Sequence, residues 1–200
     1  MEDATQALVA TGIAARSKVR PLTEVLVRAA QDGDRESFGR IFDEFHMPVY
    51  RYVVARLGAL AEAEDLAAET FASAFANIRR FRWRGAPFEA WLFRIARSKV
   101  VDHQRRVQRR PTSRLDGDME ARLASISDPA RHLLWAEERA QLLATVRKLS
   151  PDQQEVVALR FFADLSVPEI AHVMDRSVSA VRQLQFRALT TLRLRMEMRR

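Results

Sequence analysis

Arg182 and Gln183 stand side by side near the start of a basic segment, with Phe186 and Arg187 one turn further on. A guanidinium can donate two parallel hydrogen bonds to a guanine edge, a carboxamide can pair with adenine, and a phenyl ring can touch a thymine methyl. A denser set of cations lies upstream. Between Arg79 and Arg114 there are twelve Arg and Lys against two acids, Glu89 and Asp102, a local +10. Cations at that density suit a phosphate backbone. From Arg176 to Arg200 seven arginines face one acid, Glu197, giving +6. The whole chain of 200 residues carries only +7, so the other 139 residues hold −9. Part of that sits in Glu62, Glu64, Asp65 and Glu69, four acids with no base between Ala61 and Phe71. The pattern suggests two nucleic-acid contacts and one further surface for a different partner.

Other chemistry finds little support. With no cysteine, disulfides, thiolate metal sites and a Cys nucleophile are excluded. His46, His103, His132 and His172 show no metal-ligand spacing, and neither a phosphate-binding loop nor a nucleophile motif is present. The expectation is a non-enzyme with no cofactor and no small-molecule substrate. No apolar run approaches the roughly 18 residues of a membrane span. Glu2 and Asp3 spoil the basic start of a signal peptide, so a cytoplasmic protein is expected.

The elements that must carry these residues are helical. Hydrophobic residues make up 48% of the chain, enough for a packed core, and six glycines and seven prolines argue against a turn-rich β architecture. Leu22, Val25, Leu26 and Ala29 keep helical spacing, and Gly33-Asp34 breaks and restarts the chain. Phe38, Ile41, Phe42 and Phe45 share a face; Pro48 is expected to interrupt, with Val49, Tyr50, Val53, Val54 and Leu57 continuing to a stop at Gly58. A further helix over Ala63–Ile78 should bury Ala67, Phe71, Ala74, Phe75 and Ile78. Arg82 to Pro87 reads as a loop, and Phe88 to about Gln108 as a helix with Phe88, Leu92 and Ile95 inward. Asp128-Pro129 looks like a helix start, followed by a long helix from Leu133 to Leu149. Ser150-Pro151-Asp152-Gln153 and Ser166-Val167-Pro168-Glu169 both carry the capping-box spacing.

The C-terminal pair of helices is the most specific local signal. Ser166–Met174 is short, with Ile170, Ala171 and Met174 inward; Asp175-Arg176-Ser177 is a turn; and Ser177 can cap a last helix running to about Met196. That is a helix-turn-helix with a basic second helix. Taking Val181 as 0° at 100° per residue, Val178, Leu184, Ala188 and Leu192 fall within about 60° of it and form the buried stripe. Ser179, Arg182, Gln183, Phe186 and Arg187 fall opposite and would face DNA, although Phe186 could equally pack on its own domain. Gln185 borders the core, and Arg193, Arg195, Arg199 and Arg200 are phosphate anchors or solvated charge.

Taken together, four stretches resemble the extracytoplasmic-function (ECF) group of sigma-70 family RNA polymerase sigma factors. They are Asp34-Arg35-Glu36-Ser37-Phe38 with Tyr50-Arg51-Tyr52; Ala63 to Phe71; Ala86 to Arg97 ending in Asp102-His103-Gln104-Arg105-Arg106; and Leu149 to Arg160 with Leu165 to Ala171. The resemblance implies an all-α chain of two small helical domains joined by a flexible linker. Residues 1–24 would be a tail, 25–108 the region 2 helical bundle, 109–127 the linker, and 128–200 the region 4 helix-turn-helix domain.

It also implies a function: binding core RNA polymerase and directing initiation at specific promoters. Asp65 and Glu69 would dock on a basic coiled coil of the polymerase, an association that charge makes fast and salt-sensitive. Arg82, Trp83, Arg84, Arg94, Arg97, Ser98 and Arg105 would recognise and melt the −10 element. Melting needs a face for each unstacked base, worth roughly 1–3 kcal/mol, and Trp83 between two arginines is the candidate, whereas Trp91 belongs to the core. Arg94, Arg97 and Arg105 fall within about an 80° arc and could track one strand. Ser177, Ser179, Arg182, Gln183, Phe186 and Arg187 would read the −35 element. Promoter DNA, core polymerase and an anti-sigma factor are the implied partners. The chain has Ala68 where the family often has Gln and Ser98 where it frequently has Asn. Leu184 replaces a second arginine common in the recognition helix, which puts that position in the core. The alternative function is a self-sufficient helix-turn-helix regulator, which would normally dimerise on a palindrome.

Overall fold

The computed structural model describes residues 22–58, 60–83, 85–109 and 145–197. Among these every regular element is helical. They are α1 (22–31), α2 (Arg35–Leu57), α3 (Leu60–Asn77), a 3₁₀ turn (Ile78–Arg80), α4 (Phe88–Arg109), α5 (Pro151–Val157), a π turn (Ala158–Phe162), α6 (Val167–Met174) and α7 (Val178–Glu197). Arg109, expected to open the linker, is instead the last residue of α4, while linker residues 110–127, the Asp128-Pro129 start and most of the long helix expected over 133–149 lie outside the described residues. Thr145 and Val146 are helical and give way to a turn before Leu149.

α2 starts where Asp34 caps it. The Ser37 hydroxyl donates to Asp34 Oδ2 at 2.6 Å and the Glu36 amide to Oδ1 at 3.0 Å. The Ser37 hydroxyl first, and the Glu36 and Ser37 amides after it, hold the Asp34 carboxyl below its ordinary value. The helix ends at Gly58, in the left-handed region at φ +76, where a Cβ would collide with the Arg147 guanidinium. Pro48 does not interrupt it, contrary to expectation. Ile41 and Phe45 before the proline and Val49, Tyr52 and Val53 after it form one fully buried stripe. Burying that stripe outweighs the hydrogen bond the ring removes, a loss of about 3 kcal/mol.

α1 is also shifted in phase. Its buried residues are Thr23, Leu26, Val27 and Ala30, while Leu22 and Val25 are exposed. Both stripes fit a 3.6-residue period, and tertiary anchoring decides between them. Gln31 donates from Nε2 to the carbonyls of Ile78 and Phe81 at 3.0 and 2.8 Å, which fixes the rotation of the helix.

α3 buries Ala63, Leu66, Ala67, Thr70, Phe71 and Ala74. Phe75, expected inside, is half exposed and lies edge-on to Phe38 at 4.9 Å. α4 contributes Phe88, Leu92, Phe93, Ala96 and Val100, all fully buried, and Ile95 is only partly covered.

Both expected capping boxes form. The Ser150 amide bonds Gln153 Oε1 at 3.1 Å and the Ser166 amide bonds Glu169 Oε2 at 2.6 Å, each with the reciprocal bond present. α7 packs Val181, Ala188 and Leu192 inward, and Val178, at its first position, stays exposed rather than joining that stripe. One apolar cluster runs from α1–α4 into the π turn, α6 and Val181, so the N- and C-terminal helices close on each other. α6 packs on α4, and the π turn on α2.

Candidate nucleic-acid interface

The turn between α6 and α7 is set by Asp175, which adopts a left-handed conformation at φ 54 and ends α6 with its amide on the Ala171 carbonyl. Ser177 then restarts the chain. Its Oγ accepts the Ala180 amide at 3.2 Å and lies 3.2 Å from Ser179 Oγ. From this start, Ser179, Arg182, Gln183, Phe186 and Arg187 project together from the outer face of α7. Phe186 is 71% exposed, so it does not pack on its own domain. Gln185 and Leu184 are half-buried at the edge of the core. An outward row of cations, a carboxamide and an apolar ring can read a major groove.

The loop after α3 holds the second surface. Arg82 is turned back on its own loop, where it donates to the carbonyls of Arg79 and Phe81 at 2.7 and 2.9 Å. Trp83 is 38% exposed and meets Phe81 edge-on at 4.9 Å, while Trp91 is half-buried between Phe81 and Phe88. Beside Trp83 an open cleft of about 460 Å³ is lined by Thr23, Glu24, Gly85, Ala86, Pro87 and Glu89. Arg84 lies outside the described residues.

Along α4 the basic side chains are spread over distinct partners. Arg94 Nε donates to the His172 carbonyl at 2.7 Å, and its terminal nitrogen stands 3.8 Å from Asp175. Arg97 Nε is 3.7 Å from Glu155. Arg105 lies 3.9 Å from Asp102 on its own helix, and Ser98 is exposed. Two of the three arginines expected to follow a strand are thus turned toward the C-terminal helices.

Glu155 was not singled out from the sequence, and it organises the contact between the two halves. It is almost fully buried and receives three groups from α2 and α4. Tyr52 Oη donates to Oε1 at 2.7 Å, Arg56 Nε lies 3.1 Å from Oε2, and Arg97 approaches Oε1. Next to it Arg56 donates to Gln154 Oε1 at 2.9 Å. Burial first, and the Glu155 carboxylate after it, push the Tyr52 phenol well above its usual value, so it stays protonated as a donor.

The acidic helix presents Asp65, Ala68 and Glu69 on its outer face. Glu69 Oε2 is 3.2 Å from Lys99 Nζ. Among the described residues no group of His, Cys, Asp or Glu could hold a metal ion, and no helix is long and apolar enough to cross a membrane.

A family model for sigma-70 region 2 matches residues 41–110, and one for sigma-70 region 4 matches residues 146–194. The chain is 42% identical over 167 residues to the ECF RNA polymerase sigma factor BldN of Streptomyces coelicolor, covering 84% of this chain and 63% of BldN. It therefore spans less than two thirds of that relative. It is 31% identical over 175 residues to the ECF RNA polymerase sigma factor ShbA of Streptomyces griseus, covering 84% of this chain and 92% of ShbA. The fold matches CnrH in complex with the cytosolic domain of CnrY at a TM-score of 0.68 and 25% identity, over 87% of this chain and 96% of that one. It also matches RpoE in complex with the anti-sigma factor NepR from Bartonella quintana at a TM-score of 0.60, over 82% and 99% of the two chains. At 17% identity, that likeness concerns the fold alone.

Proposed function

The chain belongs to the ECF RNA polymerase sigma factors of the sigma-70 family, and from that premise we propose that it binds core RNA polymerase and directs initiation at a defined class of promoters. Residues 25–109 form the polymerase-docking and −10 domain, 128–200 the −35 domain, and 110–127 the linker. Asp65 and Glu69 dock on the polymerase. Arg82, Trp83, Arg84, Arg94, Arg97, Ser98 and Arg105 engage and open the −10 element. Ser177, Ser179, Arg182, Gln183, Phe186 and Arg187 read the −35 element. The factor is not itself a catalyst, works in the cytoplasm, and is held in check by an anti-sigma factor.

One observation carries this reading: two nucleic-acid surfaces of different chemistry share one chain with an exposed acidic helix. α7 offers an ordered row that suits base edges in a duplex, whereas the Trp83 loop offers a half-exposed ring beside an open cleft. A duplex reader acting alone has no use for the second surface. The experiment is size-exclusion chromatography with core RNA polymerase. Co-elution at low salt that weakens as salt rises supports the reading. Absence of any complex, with tight sequence-specific DNA binding by the free chain, would overturn it in favour of a self-sufficient regulator.

A further inference from the structure

We propose that Arg176, in the turn of the helix-turn-helix, is a DNA-backbone anchor for α7, and that Asp152 of α5 is its positioning residue. The inference rests on the assignment of α7 to a major groove, and an Arg182 control keeps the two separately testable.

Most cations of the C-terminal basic block stand alone. Among the described residues Arg182, Arg187, Arg193 and Arg195 form no ion pair, whereas Arg176 Nη2 stands 2.6 Å from Asp152 Oδ2. The bond joins residues 24 positions apart, and each end of it is fixed by backbone. Asp152 is the second residue of α5, whose start is pinned by the Ser150–Gln153 capping box. Arg176 follows the left-handed Asp175, and its own amide donates to the Ala171 carbonyl at 3.0 Å. The side chain is thus held at its root and at its tip.

A guanidinium carries five N–H donors, and the bond to Asp152 uses one of them. Both side chains are a little under half exposed, so Arg176 keeps donors within reach of solvent. It stands immediately before Ser177, at the end of α7 that carries Ser179, Arg182 and Gln183. A recognition helix enters the groove with its N-terminal residues on base edges, and the residue ahead of it then meets the phosphates of the groove wall. A cation there sets register and depth without reading sequence. Ordering a free arginine on binding costs rotamer entropy, and one already bonded at its tip has lost that freedom before DNA arrives.

Asp152 also has a plainer role, since an acid in the first turn of α5 favours that helix. The two roles differ in sign. If Asp152 served α5 alone, removing its charge would tighten binding to a polyanion. If it positions Arg176, removing it weakens that binding.

The test uses the full chain bound to core RNA polymerase. The probes are a promoter duplex that this holoenzyme selects from a randomised library and a second duplex with the upstream element scrambled. Affinities are titrated against salt, and circular dichroism checks that each variant folds. Arg176→Ala should weaken binding to both duplexes by the same factor, roughly tenfold, and leave the upstream base preference unchanged. It should also lower the slope of log affinity against log salt by about 1. Asp152→Ala should weaken binding roughly two- to threefold, while Asp152→Asn, which keeps an acceptor oxygen, should bind as the parent does. In an Arg176→Ala background, Asp152→Ala should have no further effect. An unchanged salt slope for Arg176→Ala, with Arg182→Ala still relaxing the upstream preference, would overturn the anchor and leave the assignment of α7 in place. No effect of either arginine would overturn both. Tighter binding by Asp152→Ala, or an equal effect with and without Arg176, would overturn the positioning role.

Discussion

Lys99 Nζ on α4 stands 3.2 Å from Glu69 Oε2 on α3, so Asp65 and Glu69, the two α3 carboxylates assigned to docking, are not equivalent. Asp65, one turn earlier on the same face, is exposed. A basic partner meets Asp65 directly but must compete with Lys99 for Glu69. Asp65→Ala should therefore weaken binding to core polymerase by about 1 kcal/mol, and Glu69→Ala by less. Titrations at two salt concentrations check this, since the difference should shrink at high salt. Equal losses for the two variants would place the docking contact elsewhere.

The Tyr52–Glu155 bond gives the fold an alkaline limit. The Tyr52 phenol is raised above its ordinary value in the folded chain. Above about pH 10 the unfolded chain releases the phenolic proton while the folded chain keeps it, so stability falls as pH rises. Below that pH the contribution is fully present. Tyr52→Phe should cost about 2 kcal/mol near neutral pH, because a buried carboxylate loses a donor, and should flatten the alkaline slope. Denaturant melts from pH 7 to 11 test both. Parallel slopes for variant and parent would count against the assignment.

Trp83 is the partly exposed ring of the loop proposed to open the −10 element, and Phe81 meets it edge-on. Trp83→Ala should leave polymerase binding intact and reduce promoter opening by the worth of one stacked base, roughly 1–3 kcal/mol. Permanganate reactivity of thymines in the opened region is the readout. Undiminished reactivity would move the stacking platform to another residue.

Arg182 stands on the outer face of α7 beside Gln183. Arg182→Ala should weaken recognition at one upstream base pair by roughly 1–3 kcal/mol and relax preference there, leaving other positions unchanged. Comparing preference profiles of variant and parent holoenzymes tests it. An identical profile would make Arg182 a backbone contact.

The C-terminal half is legible in the sequence because its signals are local. Ser150 with Gln153, Ser166 with Glu169, and Ser177 before Ala180 each mark a helix start within three residues, and each bond forms. The outward row of α7 follows from the same helical period. What the sequence does not reveal is set by partners far away along the chain. Tyr52 and Glu155 are 103 residues apart, and nothing near either announces the other. The phase of α1 depends on Gln31 reaching carbonyls beyond α3, and Pro48 is carried through α2 by burial on both sides of it. A charged residue on an amphipathic helix reads as solvated until the partner helix is in place, which is why Arg97 reads as free to track a strand from sequence alone.

The function proposed for this chain is to confer promoter selection on a polymerase that lacks it. The most direct measurement is multi-round transcription by core RNA polymerase on a library of randomised promoters, with and without the purified chain. Transcripts are expected only when the chain is present, all from templates sharing one upstream and one downstream motif at a fixed spacing. Transcription independent of the chain, or templates with no shared downstream element, would contradict it.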